Sequence, residues 1–159
     1  PSVTGSYHDP RSELLFRRTI DYVSSHKNAY CLIVNRTASE LRILPADVST
    51  RNNVALLSRP VDGLQLLWNS DVVISGGGTM NREAALLGIP TFSIFTGKRP
   101  YLDQYLSDQK KLVFVESVAD VEKVQLVKRK VQNKRPSADD RVCREVVDTL
   151  LQLAGHRTP

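Results

Sequence analysis

Three consecutive glycines, Gly76, Gly77 and Gly78, leave an apolar run that ends at Ser75 and lead into Thr79-Met80-Asn81-Arg82-Glu83, which reads as the first turn of a helix. Such a turn can hold an anion. Glycine takes positive φ angles and lets a ligand approach the backbone closely, while a helix start offers unbonded N–H groups and the positive end of its dipole. Thr79 is expected to cap the helix and Asn81 to contact a ligand. Arg82 would either meet a phosphate or pair with a surface carboxylate. The same glycines would also serve a purely structural purpose, tight packing of a strand against the following helix. Two further candidates lie elsewhere in the chain. Arg36 ends an apolar run, and its guanidinium matches phosphate oxygens in a two-point contact. His8 has the chemistry of a general acid or base, or of a partner to a sugar hydroxyl. In Thr96-Gly97-Lys98-Arg99-Pro100, two cations follow another apolar run.

Better-known phosphate motifs do not fit. No Gly-Lys-Ser/Thr ending follows the glycines, and their spacing lacks the last residue of the dinucleotide fingerprint. No Ser or Cys triad and no metal-ligand spacing is visible, so no metal is expected. Any chemistry would rest on positioning and electrostatics.

The elements that must position these residues follow from hydropathy. Short apolar runs rich in β-branched residues recur at Tyr30–Val34, Val54–Leu57, Asp71–Ser75, Thr91–Phe95 and Leu112–Val115. They are too continuous for a sheet with one wet face, which predicts parallel strands covered on both sides. Helical patterns lie between them. Leu15, Thr19, Ile20 and Val23 share one face of the first, and Val61, Leu64, Leu67 and Trp68 share one face of another. Capping boxes at Thr37–Glu40, Ser117–Asp120 and Ser137–Asp140 predict three helix starts. The alternation implies an α/β, three-layer Rossmann-like sandwich on one parallel sheet, with right-handed crossovers. Ligands of such a sheet bind beyond the carboxyl ends of its strands, where the glycine turn lies. A single domain over residues 1–159 is expected. Its basic linker and Pro136 precede a C-terminal helix over 136–154, striped by Val142, Val146, Val147, Leu150 and Leu151.

Glycine turn, short helix with an internal Glu, then Leu87-Gly88-Ile89-Pro90 is a pattern that resembles the C-terminal domain of GT-B fold enzymes. It is most similar to the non-hydrolysing UDP-N-acetylglucosamine 2-epimerases. That resemblance implies that Gly77, Gly78 and Thr79 hold a UDP pyrophosphate and that Glu83 binds the uridine ribose, with a serine of the epimerases replaced here by Gly77. The opening Val3-Thr4-Gly5 with Tyr7-His8 is similar to the epimerase segment that carries a catalytic-site His and Arg. His8 is recognisable there, and Arg11 is displaced from the expected spacing. A broader resemblance covers nearly the whole chain. It rests on Tyr7-His8, Asn35-Arg36-Thr37, Val61-Asp62-Gly63-Leu64 and Gly77 through Ala85, and it is to the family catalogued as domain of unknown function 354. Those bacterial and archaeal proteins are thought to have two GT-B-like halves and to act in surface-polysaccharide synthesis. The likeness implies that this chain is a C-terminal half. It would bind UDP or a UDP-sugar at Gly76, Gly77, Gly78, Thr79, Asn81, Arg82, Glu83 and Arg36, and an N-terminal half would complete a glycosyltransferase-like protein or a UDP-sugar 2-epimerase.

Composition bounds these readings. The chain has 159 residues, 41% of them hydrophobic and 25% charged. That length suffices to bury roughly two thirds of the surface exposed by the unfolded chain. No apolar run approaches the roughly 20 residues of a membrane span, and the start has no signal-peptide pattern, so a cytoplasmic protein is expected. The net charge of +5 is concentrated near the C-terminus, at Lys123, Lys128, Arg129, Lys130, Lys134 and Arg135. No aromatic residue interleaves there for base stacking, so nucleic acid is not expected. A solvated face is one reading. A non-catalytic module that contacts an acidic partner or a membrane periphery is the other. Cys31 and Cys143 are expected to be buried free thiols.

Overall fold

The computed structural model describes residues 9–35, 38–130 and 140–155, the side chains of 38 and 39 excepted. Along them, parallel strands and α-helices alternate. Helix α1 (Pro10–Ser25) starts where the Asp9 carboxylate accepts a hydrogen bond from the Arg11 amide at 2.9 Å. Pro10 occupies its first position, where a missing N–H is harmless. Strands β1 (Cys31–Ile33), β2 (Val54–Leu56), β3 (Val73–Ser75), β4 (Thr91–Ser93) and β5 (Val113–Phe114) fall inside the five apolar runs. Every strand pairing is parallel.

The strands do not form one sheet. Among the described residues they make two ladders, β1-β2 and β3-β4-β5, with no hydrogen bonding between β1 and β3. Helix α1 joins the two by packing. Its Leu15 belongs to a core with Ile94 and Val115, its Ile20 to a core with Ile33 and Val48, and its Phe16 touches both.

Around the three-stranded ladder the layers are those of a Rossmann-like α/β fold. Ile74, Phe92, Ile94 and Val115 pack with α1 and with α5 (Val118–Val121). On the opposite face Val73 packs with Leu67 of α2 (Gly63–Trp68) and Ala84 of α3 (Thr79–Leu86), while Phe114 lies with Ala85 and with Leu106 of α4 (Tyr101–Asp108). The period-two alternation of a strand buried on both sides produces this division.

Several local expectations are corrected. After Thr37, which lies outside the described residues, the chain forms a 3₁₀ helix over Ala38–Ile43 rather than an α-helix. Pro45 stands too close downstream for an α-helix to nucleate and grow. Val61 precedes α2 and is exposed, because Asp62 accepts the Gln65 amide at 3.0 Å and begins the helix after it. The Ser117–Asp120 box is present, with both reciprocal hydrogen bonds. Pro136 and the Ser137 box start lie outside the described residues. Helix α6 (Asp140–Gly155) carries the expected stripe, and all its residues are exposed. Cys31 is half-buried, its thiol pushed up by burial, whereas Cys143 on α6 is exposed.

The basic stretch is not uniformly a solvated face. Arg129 lies over the Trp68 ring at 5.1 Å, donates to the Trp68 carbonyl, and its amide donates to Asp71 at 2.9 Å. Lys128 and Lys130 are exposed beside it. Arg129→Ala is therefore expected to destabilise the fold by about 1–3 kcal/mol in urea titration, whereas Lys128→Ala and Lys130→Ala change it by less than about 0.5 kcal/mol.

Candidate functional site

The carboxyl end of β3 runs directly into the glycine turn. Gly77 has φ +94° and Gly78 φ +90° with ψ −163°. The Gly78 conformation is one that only glycine occupies readily. The two residues face different surroundings. A Cβ on Gly77 would lie 3.4 Å from Phe95 Cβ, in contact, whereas one on Gly78 would meet nothing within 4 Å. Gly77 therefore packs, and Gly78 lies open.

Phe95 follows β4, and its ring continues to the next loop, where a Cβ on Gly97 would come within 2.6 Å of Phe95 Cζ. One aromatic side chain thus holds the loop 96–98 beside the glycine turn. The loop is also tied to α1. Ser12 Oγ and Thr96 Oγ1 are 2.7 Å apart, and Arg11 donates to the Thr96 carbonyl at 3.4 Å. The Arg11 guanidinium bonded to Asp9 holds that carboxyl well below the usual carboxylate range, at about 2. Three segments distant in sequence converge at the carboxyl edge.

Helix α3 begins without a side-chain cap. Gly78 holds the cap position and Thr79 is the first helical residue, so the expected threonine cap does not form. By contrast, α1 and α2 are capped by aspartates. The first helical bond of α3, from the Arg82 amide to the Gly78 carbonyl, is long at 3.4 Å. The amides ahead of it have no intrahelical acceptor. The α3 start therefore lies uncapped at the carboxyl end of β3, beside the open Gly78.

The other candidates are distributed around it. Asn81 is fully buried beneath the turn, donating to the Ser75 carbonyl at 3.5 Å, with its Oδ1 unpartnered. Arg82 pairs with a buried carboxylate rather than a surface one, its Nε lying 2.6 Å from Asp103 Oδ1. The half-buried Glu83 side chain makes no hydrogen bond or ion pair among the described residues. Lys98 is exposed and likewise unpaired, while Arg99 is engaged by Glu116, Gln104 and the face of Phe114. His8 and Arg36 lie outside the described residues. The sequence reading missed Phe95 and Asp103. Phe95 looked like one more strand residue, although glycines in both neighbouring turns hint at a bulky group between them. Asp103 stands in no motif of the sequence.

A cavity of about 600 Å³ lies at the other end of the β1-β2 ladder, lined by Asp21, Lys27, Arg51 and Asn53 among others. Several of its polar groups are already used. Arg51 pairs with Asp47 and Asp21, and Asn53 donates to the carbonyls of Ser24, His26 and Ala29. That cavity is a knot between α1 and β2, on the edge away from the glycine turn. Among the described residues, no helix is long and apolar enough to cross a membrane.

A model of the family described as Protein of unknown function (DUF354) matches residues 1–154, so the chain belongs to that family. The chain is also similar to an uncharacterized protein, MJ0665, of Methanocaldococcus jannaschii, with 29% identity over 109 residues. The match takes in 63% of this chain but only 32% of that relative's length. No solved structure matches the chain.

Gly78→Ala is expected to cost about 1–3 kcal/mol in urea titration, from backbone strain without any packing clash. The Asp9 interaction also sets a pH dependence. Because the folded pKa of about 2 lies below the ordinary 3.8, its contribution is complete above about pH 4 and is lost as pH falls toward 2. In thermal melts Asp9→Asn should flatten the decline in stability over that window.

Proposed function

We propose that this member of the family binds the diphosphate of a nucleotide sugar, a UDP-sugar, at the glycine turn. The observation that carries this is the open, uncapped start of α3 at Gly78, set at the carboxyl end of a parallel strand. A diphosphate is an anion of the size that such a turn accepts, and it would accept hydrogen bonds from amides that have no intrahelical acceptor. Glu83 has a carboxylate that is unpaired among the described residues, one turn inside the same helix. It supports the resemblance to the epimerase domain, in which the equivalent position binds the ribose. Lys98, held close by the Phe95 contact, would balance phosphate charge. Asn81 then holds the turn from below.

On this reading the chain is the C-terminal, GT-B-type half of a glycosyltransferase-like protein. The roughly two thirds of the relative beyond the match would contain the half that brings the acceptor and the catalytic base. Binding, rather than turnover, is the task of this part. His8 and Arg36, outside the described residues, have the acid–base and phosphate chemistry to contribute to such a site.

Calorimetric titration with UDP, UDP-N-acetylglucosamine, GDP and NAD tests the proposal. UDP and its sugar should bind more tightly than GDP or NAD. Glu83→Ala should weaken UDP by about tenfold or more without changing the melting midpoint. Equal affinity for all four nucleotides, or a Glu83→Ala variant that binds as well as the parent, would sink the assignment.

A further inference from the structure

We propose that Asp103 is a positioning residue that fixes the Arg82 guanidinium so that its two terminal nitrogens grip a phosphate of the ligand at the glycine turn. The inference rests on the nucleotide reading above and adds the group that recognises the phosphate.

Asp103 is fully buried in the first turn of α4. Its Oδ1 accepts the 2.6 Å bond from Arg82 Nε, and its Oδ2 is buried with no partner among the described residues. A carboxylate enclosed in this way is expensive, and well-packed apolar residues often replace a buried ion pair without loss of stability. Nor is the pair needed to join α3 to α4, since Ala85, Leu106, Leu112 and Phe114 already make an apolar contact between them. Packing alone does not explain its presence.

The choice of nitrogen is informative. Arg11 gives Nε and a terminal nitrogen to Asp9, and Arg99 gives both terminal nitrogens to Gln104 and Glu116. Arg82 gives only Nε. The bond to a rigid, buried acceptor sets the plane of the guanidinium, while Nη1 and Nη2 make no hydrogen bond among the described residues. The side chain keeps 30% exposure. Arg82 stands one helical turn from Gly78, whose carbonyl receives its amide. Two parallel donors from a pre-set plane match two oxygens of one phosphate, and little side-chain freedom remains to be lost on binding. A lysine offers a point charge and cannot reproduce that fork.

The test compares the parent chain with Asp103→Asn and Arg82→Lys by UDP titration, with thermal melts alongside. Asp103→Asn should raise the UDP Kd by about tenfold, and Arg82→Lys, which retains the charge, should do the same. A purely structural pair would lower the melting midpoint of Asp103→Asn and leave the Kd of the folded protein unchanged. That result overturns the inference while the nucleotide site stands. Should Asp103→Asn fail to fold, Arg82→Lys decides alone, and UDP affinity within twofold of the parent would overturn it. If the parent chain binds no UDP, the nucleotide reading falls, and this inference falls with it.

Discussion

The site depends on one steric arrangement, the Phe95 side chain lying between Gly77 and Gly97. A backbone that leaves a strand at positive φ would usually be stabilised by hydrogen bonds within its own turn. Here it also leans on an aromatic ring just past the end of β4, the neighbouring strand. Because that strand pairs with β3 in parallel register, Ile74 opposite Phe92 and Ser75 opposite Ser93, the ring meets the turn at a fixed height. The open residue of the turn, Gly78, is thereby set at the mouth of α3. A side chain at Gly77 larger than a methyl group would push on the ring and so on the loop 96–98. Packing and openness are two parts of one geometry, and the two glycines divide them.

Helix α1 extends that arrangement to the rest of the chain. It is the element that both ladders share, through Leu15 and Phe16 on one side and Ile20 on the other. Its N-terminus reaches the carboxyl edge, where Ser12 meets Thr96. Its C-terminal half is held by Tyr22, whose hydroxyl donates to the carbonyls of Glu122 and Val124. Disturbing the α1 start would be felt at the loop beside the glycine turn, with no direct contact to a ligand. The charges at this edge divide likewise. Arg11 and Arg99 are committed to neighbouring side chains, whereas among the described residues Lys98 and the terminal nitrogens of Arg82 are not.

Much of this was legible before any coordinates. The five strands, their parallel sense and the place of the glycine turn follow from apolar continuity, although burial on both faces holds for β3 and β4 and not for β1, β2 and β5, where Leu32, Leu56 and Val113 are exposed. The Asp120 reply to Ser117 is local chemistry and was read correctly. Local logic failed where a neighbour in space decided the matter. Thr79 has the chemistry of a cap, yet Gly78 took the cap position because its backbone alone could make the turn. Cys143 lies in an apolar stripe and is exposed, since among the described residues nothing covers α6. A single sheet was the simplest arrangement of five parallel strands, and the hydrogen-bonded ladders are two.

The amino-acid sequence by itself determined the strands, most of the helix starts it marked, the family and the place of the glycine turn in an α/β protein. These depend on periodicity, on the conformational freedom of glycine and on residues near one another along the chain. Tertiary structure alone decided which glycine packs and which is open, that Arg82 meets the buried Asp103, and that Arg129 clamps Trp68 rather than facing solvent. Each of those outcomes pairs residues at least 18 positions apart, from Gly77 and Phe95 to Trp68 and Arg129. No local pattern encodes such a meeting, because it is the packing of strands and helices that sets which side chains meet.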